Sequence, residues 1–188
     1  MWDALPPPAC TVLAKGYAMN MILSADQAWG IGYQNKLLFK VPGDMRFFRK
    51  MTDQKVVVMG RETLESLPNS SPLANRYNIV ISRDPFFSCK GATLCKSTDE
   101  LFASLEQFCD EDIFVIGGEQ IYRMLMPYCH RSYITRWHTK AVADSYAPNF
   151  EEEPGWQLIK KSAPIIESGV EYSFCIYEHC SPKPRWRR

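Results

Sequence analysis

An aspartate at a helix start, two glycine-bearing strand ends and two arginines beside hydroxyl residues are the positions of this chain best suited to chemistry. The aspartate lies in Gly32–Met51, GYQNKLLFKVPGDMRFFRKM, a polar loop expected to be mobile that runs into an amphipathic helix. Val41-Pro42-Gly43-Asp44 marks the helix start, because proline is tolerated in a first turn and a short acid accepts free backbone N–H groups there. Met45, Phe48 and Met51, with Phe47 beside them, repeat at helical spacing, while Arg46, Arg49 and Lys50 fall mostly on the other side. Asp44 and Phe48 are four apart and share a face, so an acid is aimed along an aromatic surface. Alone, an aspartate offsetting the helix dipole is the plainer account, and an acid serving a site is the chemical alternative.

The glycines suit a phosphate. Ile113-Phe114-Val115-Ile116-Gly117-Gly118-Glu119-Gln120-Ile121-Tyr122 reads as a buried strand, a double glycine and a helix. Adjacent glycines turn tightly and leave N–H groups uncovered for an anion or the edge of a flat ring. The pair is also a common strand-to-helix turn, and it is not the G-x-G-x-x-G fingerprint. Val58-Met59-Gly60-Arg61-Glu62-Thr63 repeats the pattern with a cation and a hydroxyl, and Ser82-Arg83 ends a third strand the same way. In open α/β sheets ligands collect at the carboxyl ends of strands, so three such ends suggest one long, multiply anionic ligand.

Alternating elements must position these residues. Strands are expected at Met19–Ala25, Lys55–Gly60, Tyr77–Ser82, Ala92–Cys95, Ile113–Ile116 and Arg131–His138, with a closing hairpin-like pair at Trp156–Lys161 and Tyr172–Glu178. Helices are expected after Pro42, over Arg61–Leu67, from Thr98 and over Glu119–Met126. That alternation points to an α/β domain with a largely parallel sheet. The 188 residues, 46% hydrophobic, form one ordinary domain, and a net charge of +1 predicts no bulk attraction to nucleic acid or to anionic membrane. No apolar run is long enough to span a bilayer. The seven cysteines are odd in number, scattered and without C-x-x-C spacing, and only His130, His138 and His179 are available beside them, so no metal site and a reducing, cytoplasmic setting are expected. Residues 1–18, rich in proline and without a secretory pattern, are expected to be a flexible extension ahead of a domain over 19–180. Residues 181–188, SPKPRWRR, are expected to be a flexible, solvated basic tail.

Over roughly Met19 to Tyr177 the chain resembles the dihydrofolate reductases. The matching motifs are Gly30-Ile31-Gly32, Val41-Pro42-Gly43-Asp44 with Phe48, Val58-Met59-Gly60-Arg61-Glu62-Thr63 with Glu65-Ser66-Leu67-Pro68, Ile79-Val80-Ile81-Ser82-Arg83, and Val115 to Tyr122. Tyr133-Ile134-Thr135 and Asp144 follow in order. Each is weak; their order and spacing together are specific. The resemblance implies an eight-stranded, mostly parallel sheet with flanking helices, and reduction of 7,8-dihydrofolate to tetrahydrofolate with NADPH in support of one-carbon metabolism and thymidylate synthesis.

It also implies roles. Asp44 would be the pterin-pocket carboxylate, with the Thr135 hydroxyl nearby and Phe39 beside the catalytic water. Ile22, Met45, Phe48, Leu67, Leu73 and Ile116 would line the substrate pocket, and Arg76 would hold the glutamate carboxylate. Ser24, Ile31, Gly60, Arg61 and Thr63 would meet NADPH, together with Ser82, Arg83, Gly117, Gly118, Gln120 and Tyr122. Arg61 and Arg83 would favour the 2′-phosphate. Partners would be dihydrofolate and antifolate small molecules, with no nucleic acid or membrane and a monomeric chain expected.

Three departures from the family pattern stand out. Leu37-Leu38-Phe39 replaces Leu-Pro-Trp, exchanging an indole N–H that can hold a water for a phenyl ring that cannot. Ala74-Asn75 replaces the Pro-Gly before Arg76, and Leu64 stands where an aromatic is common. Two rivals follow: a riboflavin-pathway pyrimidine reductase of the same fold, disfavoured by Asp44 and Arg76, and a folate- or nucleotide-binding protein with little turnover, suggested by Phe39.

Overall fold

Met19–Ala25 is buried along nearly its whole length, the pattern of a strand covered on both faces. The computed structural model describes residues 19–185 and places this strand, β1, near the middle of the sheet. There follow β2 (Gly30–Tyr33), β3 (Lys36–Leu37), α1 (Pro42–Thr52), β4 (Val56–Gly60), α2 (Arg61–Ser66), β5 (Tyr77–Ile81) and β6 (Ala92–Cys95). The second half comprises α3 (Thr98–Leu105), β7 (Ile113–Gly117), α4 (Glu119–Leu125), β8 (Cys129–Trp137), β9 (Ser145–Tyr146), β10 (Trp156–Lys161), β11 (Ile165–Glu167) and β12 (Val170–His179). The main sheet runs β10-β12-β8-β1-β7-β4-β5-β6, with β11 paired to β12 off that path. Five of its seven neighbouring pairs are parallel, and the two involving β12 are antiparallel. This is the expected eight-stranded, mostly parallel sheet, and the expected strands are met to within two residues at either end.

Period-two alternation sends neighbouring side chains of each strand to opposite cores. Met21, Leu23, Val56, Val58 and Val115 enter one, where α3 and α4 add Leu101, Leu105, Ile121 and Leu125. Ile22, Val57, Met59, Phe114 and Ile116 enter the other, closed by Leu64 of α2 and by Phe47, Phe48 and Met51 of α1. One position of α1 differs from the expected face: Met45 is 45% exposed, whereas Asp44, expected on the face of Phe48, is buried.

The Gly32–Met51 loop is more regular than its polar composition suggests. β2 and β3 pair across Gln34-Asn35, whose φ values of 50° and 56° form a tight turn. β9 pairs with the other edge of β2, and the Asp144 carboxylate accepts a bond from Gln34 N at 2.8 Å. This three-stranded sheet went unseen in the sequence because its strands are short and β9 pairs from more than 110 residues away.

At the other end, residues 181–185 lie against the body. Lys183 N donates to Pro127 O at 2.7 Å, and the buried Arg185 guanidinium pairs with the buried Asp110 carboxylate. This differs from the solvated tail expected from SPKPRWRR; a buried partner for one arginine is invisible in composition. Residues 1–18 and 186–188 lie outside the described residues.

Candidate active site

The parallel strands end together. Their register sets Ser24 beside Thr135, Gly60 beside Ile81 and Met59 beside Gly117, so the carboxyl ends of β1, β4, β5, β7 and β8 form one edge. Asp44, third residue of α1, leans over that edge from the helix start. Thr135 Oγ1 donates to Asp44 Oδ1 at 2.6 Å, joining helix to sheet across 91 residues of sequence. Asp44 is only 7% exposed, and burial pushes its carboxyl up to about 6 against the smaller, opposing effect of the Thr135 bond. Ile22, Phe48, Leu67, Leu73 and Ile116 belong to one apolar cluster on the α1 face of the sheet. An acid that changes charge near pH 6 beside an apolar wall can stabilise a protonated, flat heterocycle.

Two expected residues sit differently. Met45 is 45% exposed and is not part of the apolar cluster. Arg76 has a side chain only 6% exposed, and its donors already meet protein acceptors: Nε and Nη2 reach Thr52 Oγ1, Nη2 reaches Arg49 O, and Nη1 reaches Ala74 O at 2.7 Å. Asp53 lies 3.6 Å from Nη1. Burial lowers the guanidinium's pKa, Asp53 acts to raise it and the Arg49 charge to lower it. Asn75, in place of a glycine, takes φ 59°, a left-handed conformation that asparagine tolerates well. A ligand carboxylate at Arg76 therefore competes with Asp53 and the Ala74 carbonyl. Phe39 is half-buried with its ring 5.0 Å from that of Trp137, so the phenyl is packed and brings no hydrogen-bond donor.

The dinucleotide-type residues gather along the same edge. Gly117 has φ 110°, outside the range of other residues, and a Cβ there would strike the Tyr122 ring at 2.9 Å. A Cβ on Gly60 would press on Ile121 at 3.0 Å, and one on Gly118 would meet Thr63 Oγ1 at 3.3 Å. The missing side chains leave a cradle beside the Thr63 hydroxyl, of the kind in which backbone N–H groups can meet a pyrophosphate. Arg61 spans to Glu65 at 2.9 Å, Arg83 is exposed, and Ser82 Oγ accepts from Asp84 N at 3.2 Å. Gln120 is exposed, and Ser24 and Ile31 are half-buried at the mouth. The buried hydroxyl of Tyr122 donates to Ile22 O at 3.0 Å, tying α4 to β1, while its ring lies against Gly117.

Sequence motifs missed two acids. Asp26, fully buried just past β1, accepts from Ala28 N, Gly30 N and Ala141 N, and its carbonyl accepts from Arg136, which also lies 3.8 Å over the Trp29 ring. It fixes the path of the chain into β2. Glu167 meets the start of α1 from the far hairpin. A lone acid carries no spacing signal, and only the three-dimensional contacts reveal either role.

Sheet edge, glycine turns and buried acid lie together at the carboxyl ends of the parallel strands, where open α/β sheets bind their ligands. The family model for dihydrofolate reductase matches residues 18–179. The chain is 33% identical over 164 residues to the dihydrofolate reductase of Bacillus subtilis, covering 85% of this chain and 94% of that one. It is 36% identical over 143 residues to the type 3 dihydrofolate reductase of Salmonella typhimurium, covering 76% and 85%. A solved dihydrofolate reductase from Enterococcus faecalis, complexed with NADP(H) and RAB-propyl, superposes with TM-score 0.78 and 25% identity, covering 88% of this chain and 98% of that one. The chain belongs to the dihydrofolate reductase family. It is an NADPH-dependent oxidoreductase that reduces dihydrofolate to tetrahydrofolate.

Proposed function

We propose that the reduction, with hydride to C6 and a proton to N5 of 7,8-dihydrofolate, takes place between α1 and the carboxyl ends of β1 and β7, with Asp44 facing the pterin. The buried Asp44–Thr135 pair carries this reading: it is a carboxylate raised to about 6 at the edge of the sheet. Asp44 and Thr135 hold the amino edge of the ring, and the single anion favours a proton on the imine, to which solvent delivers it. Ile22, Phe48, Leu67, Leu73 and Ile116 exclude water from the ring faces, with Met45 closing the rim. Arg76 holds the glutamate carboxylate once Asp53 yields. Phe39 covers the pterin without ordering a water.

The residues fit the cofactor. Ser24, Ile31, Gly60, Thr63, Gly117, Gly118 and Gln120 line its path, Tyr122 shapes the cradle, and Arg61, Ser82 and Arg83 meet the 2′-phosphate. When bound, NADPH supplies the hydride. The molecule works as a cytoplasmic monomer on dihydrofolate, open to antifolates of similar shape, with no nucleic acid or membrane partner. The domain begins at residue 19, with residues 1–18 as an extension.

Loss of absorbance at 340 nm with dihydrofolate and NADPH, compared between the natural chain and Asp44→Asn, tests the assignment. Oxidation that is fast in the natural chain, slow in the variant and partly restored at low pH supports it. Equal rates would remove Asp44 from the chemistry. Ligand binding without oxidation in the natural chain points to Phe39 as the position to revert to tryptophan.

A further inference from the structure

The first turn of α1 is held from outside by a residue no motif marks. Glu167, last residue of β11, turns its carboxylate onto that turn. Oε2 accepts from Gly43 N at 2.9 Å and from the Tyr172 hydroxyl at 3.1 Å, and Oε1 accepts from Arg46 Nη2 at 3.3 Å. Val41, the residue before the helix, offers no capping side chain. The orphan N–H that a cap ordinarily satisfies is therefore taken by a hairpin 124 residues away. The fit is close: a Cβ on Gly43 would collide with both Glu167 Oε2 and the Tyr172 hydroxyl. Tyr172 in turn packs edge-on against Trp137 at 5.0 Å, within the cluster that also buries Val41. Gly43 precedes Asp44 in the chain, so the hairpin sets where the acid points.

We propose that Glu167 is a positioning residue for Asp44, which rests on the assignment of Asp44 as the substrate-facing acid. It acts by geometry, fixing the turn that carries the acid, and by charge, engaging the positive end of the helix so that less of it is felt by Asp44. Thr135 on β8 bonds Asp44 and Tyr172 on β12 feels its charge, while Glu167 on β11 and Arg46 on α1 meet at the same helix turn. Partial desolvation pushes the Glu167 carboxyl up, but the bonds from Gly43, Tyr172 and Arg46 outweigh it and hold it below its ordinary value. Glu167 is thus ionised throughout the range in which Asp44 titrates. Burial, then the bond to Glu167, pushes Tyr172 up to about 12, so the phenol remains a donor there.

The test is the pH profile of dihydrofolate reduction by the full chain carrying Glu167→Gln or Glu167→Ala, beside Asp44→Asn. Glutamine keeps an acceptor for Gly43 N and Tyr172 but removes the charge. Its low-pH rate is retained, and the fall in rate with rising pH moves about half a pH unit lower. Alanine removes the acceptor as well, and its low-pH rate drops about tenfold in addition. The KM for NADPH is unchanged in both. Wild-type rates and pH profiles in the two variants, with only a lower Tm, would make Glu167 a plain hairpin contact and overturn the inference. Asp44→Asn without effect would instead remove the assignment on which it rests.

Discussion

Burying Asp44 costs the fold wherever that acid is ionised. The unfolded chain gives up the proton near 3.8 and the folded chain near 6, so folding takes up a proton between those values. Stability is therefore greatest below the unfolded value, falls as pH rises through the window from about 4 to 6, and stays low above it, by about 3 kcal/mol in all. Asp44→Asn keeps an acceptor for Thr135 without the charge. Its thermal unfolding midpoint is expected to exceed that of the natural chain at pH 8 and to converge with it below pH 4. The same variant is expected to lose about 100-fold or more in reductase rate at pH 7. A variant both slower and more stable is the signature of an acid kept for chemistry rather than for folding. Arg83 is tested separately: Arg83→Gln, lacking the guanidinium for a 2′-phosphate, is expected to reduce the preference for NADPH over NADH about tenfold, read from the two kcat/KM values.

At the scale of elements, tethers matter as much as strands. The β2–β3 hairpin has its turn held by Asp144, whose carboxylate accepts from Gln34 N while its own N–H donates to Gly32 O at 3.0 Å. Asp144→Ala removes the first bond and keeps the second. Amide exchange at Gln34 is expected to accelerate about tenfold, equivalent to roughly 1.4 kcal/mol of local opening, with little change in Tm because the contact is exposed. These contacts also show what could be foreseen. β1, β4, β5 and β7 were legible because strands buried on both faces are near-continuous apolar runs, and α4 because glycines punctuate its start. β2, β3, β9 and β11 were not, since short strands held by backbone bonds leave little side-chain pattern. Asp44 was legible as a helix-start acid, and the order of motifs around it disclosed the site. Its burial, the saturation of Arg76 and the inward hydroxyl of Tyr122 arise from packing between distant segments, which spacing along the chain does not encode.

For the whole molecule, the last described turn of chain is part of the fold. Arg185 is buried on Asp110 between α3 and β7, and burial lowers its pKa to about 10 while the Glu106 charge acts to raise it. Arg185→Ala leaves a buried carboxylate without its guanidinium, a loss of about 3 kcal/mol. Calorimetry is expected to show Tm lower by about 8 °C, with kcat at 25 °C unchanged because the pair lies away from the strand ends. An unchanged Tm would mean that the tail contributes nothing to the body.

The position of β1 has a consequence for how the molecule is made. Its neighbours are β7 and β8, in register at Asn20 with Phe114 and at Ile22 with Tyr133. A ribosome releases β1 first and must add more than a hundred further residues before both partners exist. Throughout that interval a seven-residue apolar segment has no place to pair. Nascent chains halted before residue 113 are thus expected to be held by chaperones or lost to aggregation, and the sheet closes only once β7 and β8 have been made.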